Sequence, residues 1–234
     1  MASNLIALFL TFILAVAWLR INDYAAHRGW IGAQFSRKII HMGTGPIFVL
    51  CWLLFTDNPT SRYLAALVPL AITFQFILVG FGIIKDETAV KAMSRTGDRR
   101  EILRGPLYYG LIFVILTIVF WYDTPTGIVA LMMMCGGDGL ADIIGRRYGR
   151  AKLPWNRGKS WAGSAGMFLG GWLFALLILA VYLAAGKLSG AWIDFLLPVT
   201  MIASLSTLVE SLPLKDIDNI TITLAAVGLG IIFF

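Results

Sequence analysis

About eight apolar segments, each of roughly 20 residues, follow one another along the chain, and they constrain its fold more than any other feature. A helix of that length crosses a hydrocarbon core roughly 30 Å thick. One such segment could be a buried helix of a soluble protein, but eight in succession leave little room for that alternative. Only 14% of the residues are charged, against about 25% in soluble domains. The sequence therefore predicts an all-α, polytopic transmembrane helix bundle forming one domain, residues 1–234.

Hydropathy also indicates where the individual spans begin and end. The first span begins almost at Met1 and lacks a small-residue cleavage site before the next charged stretch, so it is expected to be a retained helix and not a signal peptide. The predicted spans are residues 4–20, 39–55, 63–84, 106–121, 124–145, 162–185, 191–210 and 217–234.

Lysine and arginine are distributed unevenly between the predicted loops. Of the 19 Lys and Arg residues, only Arg62 and Lys187 fall on one side, and all others fall on alternate loops on the opposite side. The positive-inside rule then predicts that both termini lie outside and that the charged loops face the cytoplasm or an equivalent compartment. Because these cations flank spans and lack interleaved aromatic residues, they indicate a lipid bilayer as partner and no nucleic acid.

Two carboxylates stand at the end of the fifth predicted span. Asp138 and Asp142 are four residues apart, so on a helix they share one face. Such a pair suits Mg²⁺, which prefers oxygen ligands and usually keeps nucleotide phosphates and waters as well. Gly137 and Gly139 would let a phosphate-bearing ligand approach the backbone closely. The alternative is a structural pair neutralised by the arginines that follow.

Six cations follow these two acids. Together they could neutralise a triphosphate whose metal is held by the acids, although anchoring to anionic lipid is an alternative. The segment Gly158–Ser160 is not a phosphate-binding loop of the Walker type, because Leu153 stands where that motif needs a glycine. The six cations are Arg146, Arg147, Arg150, Lys152, Arg157 and Lys159.

Two further polar clusters lie on the same predicted membrane face. One opens the second span, and the other joins the seventh span to the eighth. Each alone could be explained by snorkelling or helix capping. Because four separate segments place ionisable groups at one face, where such groups are costly, we expect a composite site. The residues of these two clusters are Arg37, Lys38 and His41, and Glu210, Ser211, Asp216, Asp218 and Asn219.

In this order along the chain, the motifs resemble those of the phytol kinase family, the branch of CTP-dependent polyprenol kinases that includes phytol and farnesol kinases. The resemblance covers roughly residues 37–220, and its most specific part is the segment from Gly137 to Arg146. It implies transfer of the terminal phosphoryl group of CTP to phytol or a related isoprenoid alcohol, with Mg²⁺ as cofactor and CDP as product. It also implies a bacterial or cyanobacterial membrane of the inner or thylakoid type, with the active face cytoplasmic.

The resemblance assigns roles to individual residues. Asp138 and Asp142 would bind the metal, with Glu210 as a further ligand. Either Glu210 or Asp218 would serve as the base that accepts the alcohol proton, and His41 is another candidate for that base. The residues implied in binding the nucleotide are Arg37, Lys38, Gly137, Gly139, Arg146, Arg147, Lys159, Ser160 and Asn219.

A phosphatidate cytidylyltransferase is the main alternative, since the middle motif also resembles the CDP-diacylglycerol synthases. Those enzymes carry an acid in the turn that corresponds to Gly158–Gly163, and this chain has none there. The polar residues expected beside the phosphoryl acceptor are largely acidic, namely Glu210, Asp216 and Asp218, which suits a neutral alcohol better than a lipid phosphate.

Three other classes of membrane protein are further alternatives. CDP-alcohol phosphotransferases carry an Arg where Asp142 stands. A transporter would show paired repeats and polar groups near the midplane, and a non-catalytic scaffold is the remaining alternative.

The charge distribution generates a testable topology. Single cysteines introduced at Arg95 and Trp155 should react with a membrane-impermeant thiol reagent from the same side, and a cysteine at Lys187 should react from the other side. Labelling of positions 95 and 155 from opposite sides would rule out this arrangement.

Overall fold

The computed structural model describes residues 2–94, 96–214 and 217–234, and these residues are almost entirely helical. They form two compact units. One contains the chain up to Ile40 together with Ile47–Ile118, and the other contains His41–Pro46 together with Val119–Phe234. Arg95, Lys215 and Asp216, on which part of the charge argument depends, lie outside the described residues.

Helices dominate the first unit because its apolar segments leave no other way to satisfy backbone hydrogen bonds in lipid. Polar contacts near the chain start fix two of its helices: Asn4 donates to Ser61 Oγ at 2.9 Å and accepts from the Thr56 amide at 2.9 Å. Asp86 and Asp98 begin the elements at Glu87 and Arg99 by accepting hydrogen bonds from backbone amides. Its elements are α1 (Ala2–His27), α2 (Ala33–Cys51), a 3-10 turn (Trp52–Leu54), α3 (Ser61–Phe81), α4 (Glu87–Met93), a 3-10 turn (Arg99–Leu103) and α5 (Gly105–Val119).

The second unit carries the motifs singled out in the sequence. A continuous helical segment over Pro125–Tyr148 leads into a short hairpin, which is followed by three more helices. The elements are α6 (Pro125–Met132), a π-helical turn (Met133–Gly137), α7 (Asp138–Tyr148), β1 (Lys152–Leu153), β2 (Asn156–Ser160), α8 (Trp161–Ala184), a 3-10 turn (Trp192–Phe195), α9 (Leu196–Glu210) and α10 (Asp218–Phe233). The strands β1 and β2 are antiparallel, with Lys152 opposite Ser160.

Small residues let α7 and α8 approach closely. A side chain at Gly166 would begin 2.8 Å from the Leu140 carbonyl oxygen, and one at Gly145 would begin 3.3 Å from the Gly163 Cα. Glycine at such positions is typical of helix pairs in membranes, where backbone-to-backbone packing replaces the hydrophobic driving force. The close contact fixes the segment that carries Asp138 against the helix that follows the hairpin.

The predicted all-α membrane bundle is confirmed, but the spans differ in detail from the prediction. Among the described residues, six helices are long and apolar enough to cross a membrane: Ser3–His27, Ser61–Phe81, Arg99–Val119, Pro125–Tyr148, Trp161–Ala184 and Trp192–Glu210. The predicted eighth span corresponds to α10, which is apolar but has 16 residues. The predicted second span corresponds to α2, which begins earlier, at Ala33, and includes the polar residues Arg37 and Lys38. The predicted first span is also longer, since α1 continues to His27.

Candidate active site

A π-helical turn places Asp138 at the start of α7. The five residues Met133–Gly137 are all buried and form a single wider turn within an otherwise α-helical segment. Turns of this kind weaken the regular hydrogen-bond ladder and occur often at functional sites. The carbonyl oxygen of Met134, inside this turn, accepts a hydrogen bond from a side chain on another helix, that of His41.

His41 links α2 to this turn. Its Nε2 atom lies 3.1 Å from the Met134 carbonyl oxygen and 3.4 Å from Asp138 Oδ2. A carbonyl oxygen can only accept, so Nε2 carries a proton and donates it. In this arrangement His41 orients the Asp138 carboxylate, and Nε2 is not available as a base. If His41 acts as a base, the proton must go to its other ring nitrogen, Nδ1, and this role stays a prediction.

Lys159 is the centre of the charged cluster. It lies on β2, and its ammonium group forms ion pairs with Glu210 Oε1, at the end of α9, and with Asp218 Oδ2, at the start of α10, 3.5 Å away. Burial alone would lower the pKa of this lysine. The neighbouring carboxylates outweigh burial and raise the pKa above its usual value, Glu210 most and Asp138 least. Lys159 is therefore a permanent cation among three acids.

Glu210 has one carboxylate oxygen in the Lys159 ion pair and one without a hydrogen bond. The residue is 3% exposed, and no described residue donates a hydrogen bond to its Oε2 atom. A buried oxygen left in this state costs free energy, about 1–3 kcal/mol or more for a charged group. A buried acceptor without a donor is unusual in a native structure. Binding of a substrate hydroxyl or a cation would supply the missing partner of Oε2.

Two hydrogen bonds that the sequence did not predict join the hairpin to Ser211, the residue after Glu210. Trp155 Nε1 donates to Ser211 Oγ at 3.2 Å, and Asn156 Nδ2 donates to the Ser211 carbonyl oxygen at 3.1 Å. Asn156 Oδ1 also accepts from the Gly158 amide at 3.1 Å, which shapes the strand just before Lys159. These bonds fix the hairpin on the end of α9, so the lysine of one segment meets the glutamate of the other.

The donor set suits a divalent cation. Two carboxylates, those of Glu210 and Asp218, pair with the Lys159 ammonium group, and Asp138 lies close enough to act on it electrostatically. Among the described residues, no group of three or more His, Cys, Asp or Glu side chains is arranged to hold a metal. Mg²⁺ commonly uses one or two carboxylates and takes its other ligands from phosphates and water. One or two of these carboxylates would suffice for Mg²⁺ held together with a nucleotide, and Mg²⁺ binding stays a prediction.

Asp142 is placed differently from Asp138. It lies one helical turn along α7, and its Oδ1 atom accepts a hydrogen bond from Arg146 Nε at 2.9 Å. This pair is the structural alternative to metal binding that the sequence left open for Asp142. Arg146 and Asp142 are both partly exposed, so an arriving phosphate could draw the guanidinium away at little cost. Metal binding by Asp142 stays a prediction.

Several residues expected to bind the nucleotide have structural roles. Gly137 packs against Met167 and Gly139 against Met42, so side chains of this protein occupy the space beside both glycines. The Ser160 hydroxyl is buried and accepts a hydrogen bond from the Gly163 amide at 3.1 Å, which caps α8. A direct role of these three residues in phosphate binding stays a prediction.

The other predicted nucleotide ligands lie around the cluster or in the first unit. Arg147 is exposed, and its guanidinium lies over the Tyr148 ring, 5.4 Å from the centroid. Asn219 follows Asp218 at the start of α10 and is half-buried. Arg37 and Lys38 belong to the first unit, one helical turn before His41 on α2.

The chain is similar in sequence to plant proteins named as kinases of isoprenoid alcohols. It is 40% identical over 222 residues to the probable phytol kinase, chloroplastic, of Triticum aestivum. The matched segment covers 94% of this chain and 74% of the relative. It is also 40% identical over 202 residues to phytol kinase 1, chloroplastic, of Arabidopsis thaliana. That match covers 86% of this chain and 66% of the relative. The farnesol kinase, chloroplastic, of Arabidopsis thaliana is 38% identical over 234 residues, covering 99% and 76%. No family model and no solved structure matches the chain.

The ion pairs of Lys159 make a prediction about stability. Replacing Lys159 with Met leaves Glu210 buried without its counter-charge, and breaking a buried pair in this way costs about 3 kcal/mol or more. Lys159→Met should therefore unfold at a clearly lower temperature than the native protein in detergent containing EDTA. The matched control is Arg157→Met, an exposed residue on the same strand. Equal unfolding temperatures for the two variants would contradict the assigned role of the cluster.

Proposed function

The chain belongs to the phytol kinase family, and on that premise we propose that it transfers the terminal phosphoryl group of CTP to phytol or a related isoprenoid alcohol. The names of the relatives, phytol kinase and farnesol kinase, support phosphoryl transfer to an isoprenoid alcohol. The choice of CTP as donor rests on the family resemblance of the motifs. The products are an isoprenyl monophosphate and CDP.

The observation that carries this proposal is the cluster formed by Lys159, Asp138, Asp218 and the unpartnered Oε2 atom of Glu210. Catalysis of phosphoryl transfer is largely positioning and charge neutralisation, with little covalent chemistry by the protein. A permanent cation and several carboxylates, held together at the end of apolar helices, provide the groups that a triphosphate and an alcohol require.

Each charged group of the cluster has a distinct task in the reaction. Lys159 contacts oxygens of the transferred phosphate. Asp138 is held in place by His41 and provides a carboxylate for Mg²⁺, with Asp142 or Glu210 as further ligand. When bound, Mg²⁺ would neutralise charge on the phosphate oxygens and fix their position. Arg146 and Arg147 provide further cations for the nucleoside triphosphate, and nucleotide binding by Arg37 and Lys38 stays a prediction.

Glu210 is the proposed base. The alcohol oxygen attacks the γ-phosphorus, its proton passes to Glu210 Oε2, and the bond from the γ-phosphorus to the bridging oxygen breaks so that CDP leaves. Oε2 suits this task because Oε1 is held by Lys159 while no described residue donates to Oε2. Asp218 remains on the other side of the ammonium group and keeps Lys159 in position.

The charge distribution supports a location for the reaction. The protein is a membrane protein with apolar helices, and the motif segments coincide with the loops rich in Lys and Arg. We therefore place the active face on the cytoplasmic or stromal-equivalent side of the bilayer. A bacterial or cyanobacterial membrane of the inner or thylakoid type stays the expected host. The isoprenoid alcohol arrives from within the bilayer, and the nucleotide arrives from water.

The position of attack on CTP separates this kinase from a cytidylyltransferase. A kinase directs an alcohol to the γ-phosphorus, whereas a cytidylyltransferase directs a lipid phosphate to the α-phosphorus and releases pyrophosphate. We expect purified protein with phytol and Mg²⁺ to transfer label from γ-labelled CTP into phytyl monophosphate, and to release α-label as CDP. Incorporation of the α-label into lipid would overturn the proposal and favour the phosphatidate-type enzyme.

A further inference from the structure

A groove runs between α8 and α9 on the same unit as the charged cluster. It has a volume of about 470 Å³ and an almost wholly apolar lining, a size typical of small-molecule sites. Several of its side chains are exposed on the outer surface of the helices, so the groove opens sideways and not toward the unit's interior. The lining residues are Trp161, Ser164, Ala165, Phe168, Leu169, Ser204, Thr207 and Leu208.

One end of the groove meets the charged cluster. Trp161 directly follows the hairpin that carries Lys159, and its ring contacts the Trp155 ring with centroids 5.7 Å apart. On the other wall, Leu208 and Thr207 stand two and three residues before Glu210 on α9. Glu210 does not itself line the groove and is 3% exposed, so a molecule lying in the groove would have one end near the last turn of α9, whose final residue is Glu210.

The lining residues on α8 run from Trp161 to Leu169, about 12 Å along the helix, which gives the groove the shape of a slot for an extended chain. Beyond Leu169 the two helices are joined by a hydrogen bond, in which Trp172 Nε1 donates to Thr200 Oγ1 at 2.9 Å. The rest of a longer chain can leave through the open side into lipid.

The polar groups of the groove are few. Ser204 donates to the Thr200 carbonyl oxygen at 2.8 Å and Thr207 to the Ala203 carbonyl oxygen at 2.7 Å, so both hydroxyls are satisfied within α9. Ser164 Oγ is buried in the wall and has no hydrogen-bond partner among the described residues. The surface offered along the slot is therefore hydrocarbon, and the strong polar group lies at one end.

We propose that this groove binds the isoprenyl chain of the alcohol substrate with its hydroxyl toward the end of α9 that carries Glu210, an inference that rests on the proposed function. An isoprenoid alcohol has the same distribution of polarity as the slot, a long branched hydrocarbon with one terminal hydroxyl. A phospholipid would bring a charged phosphate to the end where the carboxylates of Glu210 and Asp218 lie, and like charges repel. Because the surrounding lipid is as apolar as the groove, binding of the branched chain would come from close packing against the groove walls.

The test uses a farnesol analogue carrying a diazirine on its chain, added without nucleotide to protein in lipid nanodiscs. Mapping of the cross-linked peptides should place the label between Trp161 and Leu169 or between Ser204 and Leu208. Excess phytol should remove most of this label, and an equal excess of phosphatidylglycerol should not. Label spread over many helices, or displaced equally by both competitors, would overturn the proposal and show binding of bilayer lipid only.

A matched pair of tryptophan variants supplies the kinetic readout. Ala165→Trp fills the slot, and Ala184→Trp places the same side chain at the far exposed end of the same helix. We expect Ala165→Trp to lower kcat/KM for phytol by about tenfold or more, since several methylenes lose their contacts, while a five-carbon prenol changes little. Leu208→Trp should repeat this effect from the opposite wall. An unchanged preference for chain length in both groove variants would contradict the proposal.

The two proposals can fail separately. Labelling needs no turnover, so label in the groove of a protein that transfers no γ-phosphate to alcohols would keep the binding site and refute the kinase. Normal γ-phosphate transfer with labelling elsewhere would keep the kinase and refute the groove.

Discussion

The ion pair between Lys159 and Glu210 is the interaction on which the site depends. Glu210 is buried at the end of α9, and a buried charge costs several kcal/mol if left alone, so it needs the partly exposed Lys159 on β2 as its counter-charge. Their contact requires the hairpin to lie on the end of α9 and α10 to begin beside it. The same contact leaves Glu210 Oε2 without a donor among the described residues, and the proposed chemistry uses that atom.

Close helix packing brings the second half of the site to this pair. Glycines on α7 and α8 allow the two backbones to approach closely, which fixes the π-helical turn and Asp138 against the helix that follows the hairpin. His41 then donates to Met134 and holds Asp138. The site is therefore assembled by apolar packing and small residues, with its charged groups at the ends of apolar helices.

The sequence predicts the membrane bundle and the identity of the charged residues well, because an ionisable group beside an apolar span is costly and easily recognised. It does not predict pairings between distant segments, so the contact of Lys159 with Glu210, 51 residues away, appears only in the structure. The strands of two and five residues are too short to show a periodicity. For Gly137, Gly139 and Ser160 the structure shows packing and helix capping, roles that the sequence does not reveal, and nucleotide binding by these three residues stays a prediction.

The measurement that tests the account most directly is the Mg²⁺ dependence of phosphoryl transfer from CTP by Asp138→Asn. The matched control is Asp98→Asn, an exposed cap of a 3-10 turn that asparagine can replace. The account predicts that Asp138→Asn folds and inserts normally but loses about a hundredfold or more in turnover, because a carboxylate that positions the metal and phosphates is gone. The control should retain native turnover. Near-native activity of Asp138→Asn at ordinary Mg²⁺ concentration would contradict the account.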